Sequence, residues 1–348
     1  MTIADQITRL QNAKAAIKQS IENKGVEVRQ YAKLNDYASF IDKIQIASDD
    51  TNFYDVRTKG STTYRGLFAY YVGDIDISLY DSKNITDMTY MFYQCGDSKS
   101  TITNLETLDF SSVKSAYYMF GYYGYLAPIN LSGKSFPMLT DGGHMFYNIS
   151  NAETIDLSNA DFPNLKESQN MFYFGYSGSV TTLNLAGVNM PSLTRAESMF
   201  EYGKMTTLDV SGINFSKVGN VGSLFANCKQ LVEIIGELDF SGASNGLYNS
   251  AYNNPFRLCN ALETVWVKNI YKDCTMKNEA KWSINLSETK IKDECLIYMI
   301  NELPDLINDK GLTATDKIVL TLPPTNTLTA EQVQSALNKG WQVANTNF

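Results

Sequence analysis

Apolar positions recur through the middle of the chain with a period too long for a single helix or strand and too regular for a loop. From about Asp81 to Val267 a Met-Phe pair returns as Met91-Phe92, Met119-Phe120, Met145-Phe146, Met171-Phe172 and Met199-Phe200, with a degenerate copy at Leu224-Phe225. By subtraction of residue numbers, successive copies start 28, 26, 26, 28 and 25 residues apart. Each pair is followed by a second signature, apolar-x-x-apolar-x-apolar. It reads Leu105-x-x-Leu108-x-Phe110, Leu126-x-x-Ile129-x-Leu131, Ala152-x-x-Ile155-x-Leu157, Val180-x-x-Leu183-x-Leu185 and Met205-x-x-Leu208-x-Val210. A last copy, Leu262-x-x-Val265-x-Val267, comes after an irregular stretch from Gly236 to Asn260. In the signature the final two apolar positions flank one residue, polar in every copy but the last, which is the alternation of a half-buried strand. Two signatures locked in one period of roughly 20–29 residues predict a leucine-rich-repeat-like solenoid of the α/β class, with one short strand per coil in a parallel β-sheet. A coil of this kind cannot bury its apolar face alone, so neighbours must stack. The Met-Phe pairs are read as core filling the opposite wall.

The flanks carry other periods. Ile3, Ile7, Leu10, Ala13, Ile17 and Ile21, spaced by 4, 3, 3, 4 and 4, predict a helix over 3–24 with one apolar stripe. Thr2 is placed to cap it and Gly25 to stop it. A second helical pattern over 35–44 offers Leu34, Tyr37, Ile41 and Ile44 as a partner face. Packing of the two helices on each other and self-association through Ile3, Ile7, Leu10, Ile17 and Ile21 are equally compatible with so short a stripe. Residues 47–80 form a linker and N-terminal cap, since solenoid ends need atypical coils. A Ser/Asn/Gly-rich loop over 242–254 interrupts the array. Beyond it, Ile284-Asn-Leu286 reads as one more strand, 291–303 as a helix and Lys317–Leu322 as a strand. Thr329-Ala-Glu-Gln332 is a capping box opening a helix that Gly340 closes, and Trp341–Val343 is a final strand. The resulting division is a helical attachment or oligomerisation module (1–46), the linker and cap (47–80), the solenoid (81–286) and a mixed α/β C-terminal cap (287–348).

Three resemblances attach to these segments. Asn84-Ile-Thr-Asp-Met-Thr-Tyr-Met-Phe-Tyr-Gln-Cys95 and Leu105-Glu-Thr-Leu-Asp-Phe-Ser-Ser112 resemble the bacterial-surface (BspA-like) leucine-rich repeats. Later copies depart from that pattern, with Tyr and Gly at the turn in Gly121–Tyr125 and Tyr173–Ser177. Gln11-Asn-Ala-Lys-Ala-Ala-Ile-Lys-Gln-Ser-Ile-Glu-Asn-Lys-Gly-Val26, with Leu34-Asn-Asp-Tyr-Ala38 and Ile41-Asp-Lys-Ile44, is similar to the N-terminal module of many tailed-phage tail and fibre proteins. The final segment resembles the C-terminal cap of phage-borne BspA-like proteins. Together they imply a tailed-phage virion protein of head- or tail-fibre type, attached through its N-terminal helices to other virion proteins or to sister subunits.

Charge narrows the partners. The net charge of −8 leaves no basic stripe to displace counterions, which argues against nucleic acid. No stretch approaches a membrane span, and the start Met-Thr-Ile-Ala-Asp-Gln has neither the basic nor the apolar region of a signal peptide. The expected location is therefore the virion, with synthesis in the host cytoplasm. Cys95, Cys228, Cys259, Cys274 and Cys295 show no CxxC spacing and are read as buried thiols. The one histidine, His144, has no nucleophile motif beside it. A solenoid strand face allows Glu106, Glu153 and Asp156 to lie near one another, as a glycosidase's two carboxylates would, but repeated Asp at one column is the repeat's own consensus. No enzyme and no cofactor is expected. Binding has two candidate surfaces: a polar strand column of Asp109, Asn130, Asp156, Asn184, Asp209 and Trp266, and a tyrosine cluster including Tyr122, Tyr123, Tyr125 and Tyr176. The expected function is a non-enzymatic virion structural protein, a homo-oligomer (trimer or dimer), presenting the repeat surface to a host protein, a host glycan or a virion protein. The alternative is a bacterial cell-surface adhesin; a polysaccharide depolymerase is a weaker third reading.

Overall fold

The computed structural model describes residues 3–22, 60–244, 254–273, 283–311 and 318–347. Two compact units emerge, Met1–Gly60 and Ser61–Phe348. In the first, the predicted helix is present as α1, Ile3–Glu22. Of its stripe, Ile17 is exposed and Ile21 buried, while the side chains of Ile3, Ile7 and Leu10 lie outside the described residues. So do the expected Thr2 cap, the Gly25 stop and the second helix over 35–44.

The second unit is a parallel β-solenoid of about nine turns. Its short strands are β1 (Ile75–Asp76), β2 (Ile102–Thr103), β3 (Ile129–Asn130), β4 (Thr154–Asp156), β5 (Thr182–Asn184), β6 (Thr207–Asp209), β7 (Glu233–Asp239) and β8 (Thr264–Lys268). They pair in parallel as β1-β2, β3-β4-β5 and β6-β7-β8. Register follows the repeat: Ile129 faces Ile155, Ile155 faces Leu183 and Leu208 faces Ile234, each buried between exposed or half-buried neighbours. A second ladder of parallel bridges climbs the coil through Thr63, Asp87, Ser115, Asp141, Glu167, Arg195 and Asn220. A third passes through Ser135, Asp161 and Asn189.

The Met-Phe signature forms a stacked turn rather than a strand. Each Phe N–H donates to the carbonyl of the residue before the next coil's Phe: Phe92 to Met119 (2.8 Å), Phe120 to Met145 (2.8 Å), Phe146 to Met171 (2.9 Å), Phe172 to Met199 (2.8 Å) and Phe200 to Leu224 (2.9 Å). The residue before each pair is left-handed, with φ of 58° at Tyr90, 52° at Tyr118, 58° at His144, 54° at Asn170, 53° at Ser198 and 54° at Ser223. Non-glycine residues pay about 1–2 kcal/mol for that conformation. Its recurrence shows that the turn ladder and the core below it outweigh the strain.

That core is a column of phenylalanines. Phe92, Phe120, Phe146, Phe172, Phe200 and Phe225 stack with centroid separations of 5.2, 5.4, 5.3, 5.5 and 5.4 Å and interplanar angles of 12° or less. The column continues past both ends of the sequence pattern. Phe68 stacks on Phe92 at 5.4 Å and Phe256 on Phe225 at 5.9 Å, and the turn bonds continue from Phe68 to Met91 and from Phe225 to Pro255. Coils therefore begin before Asp81, and part of the stretch read as irregular belongs to the array. A second ring stack, Phe110–Phe136–Phe162, fills the wall below the third ladder at 4.5 and 4.3 Å.

One copy of the second signature is misplaced. Leu105–Thr107 is a 3-10 turn rather than a strand, and the strand of that coil is Ile102–Thr103, paired with Ile75 and Asp76. Left-handed Asn104 adds a residue between the strand and the corner, so Leu105-x-x-Leu108-x-Phe110 copies the spacing one corner late.

The last stretch holds β9 (Ile284–Asn285), α2 (Asp293–Asn301), β10 (Val319–Thr321), α3 (Ala330–Asn338) and β11 (Gln342–Ala344), with the strands parallel in the order β11-β10-β9. The capping box opens α3 as the sequence predicts. Thr329 Oγ1 accepts from Gln332 N at 3.3 Å, and Gln332 Oε1 accepts from Thr329 N at 2.8 Å. Trp341 is buried, with its indole N–H donating to the Pro304 carbonyl at 3.1 Å.

Candidate functional site

Three columns of side chains flank the Phe turn: the left-handed residue before Met, the first residue after Phe, and the second residue after Phe. In the first coils these columns are aromatic, supplying Tyr90, Tyr118 and His144, then Tyr93, Tyr147 and Tyr173, then Tyr70, Tyr122 and Tyr202. The turn ladder holds successive coils in step, so these rings meet. Tyr70–Tyr93 (5.6 Å), Tyr93–Tyr118 (5.7 Å), Tyr118–His144 (4.4 Å, 20°), Tyr118–Tyr147 (5.4 Å), Tyr147–Tyr173 (4.7 Å, 6°), Tyr173–Tyr202 (5.4 Å) and Tyr176–Tyr202 (4.5 Å) form one unbroken aromatic band across the coils. Most of these rings are half-buried against each other; Tyr70 and Tyr176 are 67% and 81% exposed at its two ends. The Arg65 guanidinium lies over the Tyr90 ring at 5.7 Å.

The band stops where the columns turn polar. Ser198 and Glu201 already stand in the coil of Tyr202, and Ser223, Ala226 and Asn227 occupy the equivalent places in the next, none of them aromatic. A cleft of about 160 Å3 opens there, lined by Gly175, Tyr176, Tyr202, Gly203, Lys204, Asn227, Lys229 and Gln230. Tyr176 and Tyr202 share a hydroxyl–hydroxyl hydrogen bond of 3.0 Å, which fixes the exposed ring. Behind the cleft Glu201 is buried, accepting from Asn227 Nδ2 at 3.1 Å and lying 3.7 Å from the Arg257 guanidinium. Burial raises the Glu201 carboxyl above its ordinary value, outweighing the opposing hydrogen bonds from Ser198 and Asn227 and the charge of Arg257.

His144 is part of the aromatic band. Besides its stack on Tyr118 it meets Tyr117 at 5.2 Å and Tyr147 at 5.3 Å. Burial lowers its affinity for a proton, against the pull of Asp141 and Glu197. Cys95, Cys228, Cys259 and Cys295 are buried free thiols, as expected; Cys274 lies outside the described residues. Burial pushes Cys95 and Cys228 up to about 12. The Cys228 and Cys259 thiols donate to the carbonyls of Phe200 (3.1 Å) and Phe225 (3.0 Å), one more rung beneath the Phe column.

The polar strand column is not one column, and its side chains are largely engaged. Asn130, Asp156 and Asn184 face one another across β3, β4 and β5, and Asp209 lies in β6. Each closes a corner by accepting a backbone N–H two residues on: Asn130 from Ser132 (3.0 Å), Asp156 from Ser158 (2.9 Å), Asn184 from Ala186 (3.2 Å) and Asp209 from Ser211 (2.9 Å). Asp109 makes the same turn with Ser111 (2.8 Å) but on another wall. Phe110 stacks on Phe136, which aligns Asp109 with Ser135 of the third ladder. The Ser111 hydroxyl and amide hold the Asp109 carboxyl below its ordinary value. Trp266 faces Glu237 because an irregularity at Gly236 shifts the β7–β8 register, and it packs edge-on to Tyr298 at 5.3 Å.

Two of the four tyrosines proposed for binding are core. Tyr123 and Tyr125 are fully buried; the Tyr125 hydroxyl donates to the Gly73 carbonyl (2.7 Å) and accepts from Cys95 Sγ (3.6 Å). Tyr123 stands four residues after Met119, the place taken by Cys95 and Ile149 in the adjacent coils, so the period itself marks it as core. Tyr122 and Tyr176 belong to the band. Sequence reasoning missed Tyr70, Tyr90, Tyr93, Tyr147 and Tyr202 as its members, although their fixed offsets from the Phe turns were a readable signal.

No helix among the described residues is long and apolar enough to cross a membrane. A family model described as "Mycoplasma protein of unknown function, DUF285" matches residues 62–183 and again 140–257, together more than half of the chain. No curated protein and no solved structure matches it significantly.

Proposed function

The chain belongs to this family of BspA-like repeat proteins, and from that premise we propose that it is a non-enzymatic structural protein of a tailed-phage virion, fibre- or tail-associated, displaying its solenoid face to a host receptor or a neighbouring virion protein. The observation that carries the display role is the aromatic band, which keeps Tyr70, Tyr90, Tyr93, Tyr118, Tyr122, Tyr147, Tyr173, Tyr176 and Tyr202 along one side of a rigid array. Tyrosine offers large amphipathic contact area at low entropic cost, a composition typical of recognition surfaces. The resemblance of residues 11–44 to phage tail and fibre modules supports the virion assignment. In this reading residues 1–46 attach the chain to the particle or to sister subunits, giving a trimer or dimer, and residues 287–348 close the far end of the array. Host glycan or protein, rather than nucleic acid, is the partner class.

The test is proteomics of purified particles from a culture expressing the gene. The reading expects the chain in tailed particles at a stoichiometry fixed relative to the other tail proteins; its absence from them overturns the virion assignment. The family's printed description names mycoplasmas, which favours a second reading, a bacterial cell-surface adhesin. Detection on the surface of unlysogenised cells would select it.

A further inference from the structure

Building on the display reading, we propose that the cleft beside Tyr176 and Tyr202 is a carbohydrate subsite, and that the aromatic band is the track along which the rest of a glycan chain lies. Four observations converge. Tyr176 is 81% exposed yet fixed by the 3.0 Å hydrogen bond to Tyr202, an arrangement that supplies a preformed ring face. The face of an aromatic ring carries the negative lobe of its quadrupole, and the C–H bonds on one face of a sugar ring present the complementary positive charge. The lining also holds Lys229 and Gln230, both exposed, whose ammonium and amide groups suit the hydroxyls on a sugar's rim, while the buried Asn227 amide is engaged by Glu201.

Size argues for a sugar over a larger ligand. The cleft, at about 160 Å3, falls below the roughly 300–1,000 Å3 typical of pockets that enclose a whole drug-sized molecule, so it accommodates one ring-sized unit of a longer chain. The band continues from that cleft through Tyr173, Tyr147 and Tyr118, with successive ring centroids 4.7 to 5.4 Å apart. A repeating polymer is matched by a repeating track. A protein side chain would more naturally seek a wholly apolar pocket, whereas the lining of this one combines aromatic rings with exposed ammonium and amide groups.

The experiment presents the full chain to an array of plant, animal and bacterial polysaccharides, neutral and uronic. The strongest ligand is then titrated against wild type, Tyr176→Ala and Tyr298→Ala. Tyr298 meets Trp266 and Glu237, away from the cleft lining. The proposal expects binding to at least one polysaccharide and at least a tenfold loss in Tyr176→Ala. It also expects an unchanged melting temperature for that variant, because the ring is largely exposed, and full binding by Tyr298→Ala. A blank array, or binding indifferent to Tyr176→Ala, overturns it. A blank array with the chain present in virions sinks this inference and leaves the virion assignment standing. Tyr176-dependent glycan binding by a chain absent from virions does the reverse.

Discussion

Replacing Phe146 with leucine isolates what the ring column contributes. Phe146 is fully buried between Phe120 (5.4 Å, 3°) and Phe172 (5.3 Å, 4°). Leucine keeps most of the apolar volume and removes both ring pairs. Such pairs are worth about 0.5–1.5 kcal/mol each beyond their buried area, and the volume left unfilled adds about 1 kcal/mol, so Phe146→Leu should cost about 2–4 kcal/mol. Phe256 has Phe225 at 5.9 Å as its described ring neighbour. With one pair to lose, Phe256→Leu should cost about 1.5–2.5 kcal/mol by the same reckoning. Equilibrium urea unfolding followed by circular dichroism measures both, with the slope monitored because repeat arrays can lose two-state behaviour. A double-mutant cycle makes the test sharper. Phe120→Leu with Phe146→Leu removes a shared pair and should couple by about 0.5–1.5 kcal/mol. Phe92→Leu with Phe146→Leu, two coils apart, should be additive within about 0.5 kcal/mol. Equal coupling in the two cycles would refute the nearest-neighbour reasoning and leave the stack as mere filler.

Other expectations follow from individual positions. A Cβ at Gly212 would lie 1.7 Å from the Val188 carbonyl oxygen, so Gly212→Ala should unfold its coil, losing more than about 4 kcal/mol. Gly133→Ala faces open space at φ +67° and should cost only the left-handed strain, about 1–2 kcal/mol; equal urea midpoints for the two variants would contradict this. Because the folded-state value of Glu201 is raised, its contribution to stability is complete below the unfolded-state value of 4.5 and is lost as pH rises through the folded value. Glu201→Gln, which cannot ionise, should therefore gain stability relative to wild type as pH rises above 4.5, and a difference that stays flat with pH would refute the raised carboxyl. Cys228 and Cys259, buried and with raised thiols, should resist alkylation at pH 8 in the native chain and label fully in urea; rapid native labelling mapped to either peptide would contradict the core geometry.

The solenoid was legible because two signatures recur in a fixed relation, and stacking neighbours is the only way such coils can bury their faces. The terminal elements were legible for a local reason: the Thr329–Gln332 box specifies a helix start without tertiary help. The ends of the Phe column were hidden because Leu67 and Pro255 replace methionine while Phe68 and Phe256 keep the ring. Across eight coils the Phe column tolerates no other residue, whereas the position before it accepts Met, Leu or Pro; the ring is the informative half of the signature. Asp109 was assigned to the wrong wall because apolar-x-x-apolar-x-apolar occurs at both a strand and a corner, and spacing cannot tell them apart. Tyr125 was assigned to the surface because tyrosine suits either environment when its hydroxyl finds a partner, and the Gly73 carbonyl that receives it lies 52 residues away in sequence. Tyr123 is buried with its hydroxyl unpaired among the described residues, which composition alone does not signal.

The separation between the Phe column and the columns beside it explains how one scaffold serves display. The rings and the turn ladder define the coil, and they are nearly the same from Phe68 to Phe256. The residues at fixed offsets from each Phe do not define it: the position before Met holds Tyr, Tyr, His, Asn, Ser and Ser along the array at almost constant φ. Since the backbone conformation survives such varied side chains, it is imposed by the ladder and not by the residue. Surface chemistry is thereby free to change coil by coil, aromatic over the first coils and polar beyond Tyr202. The cleft sits where one regime gives way to the other, with Tyr176 and Tyr202 from the aromatic band and Lys229 and Gln230 from the polar coil in its lining.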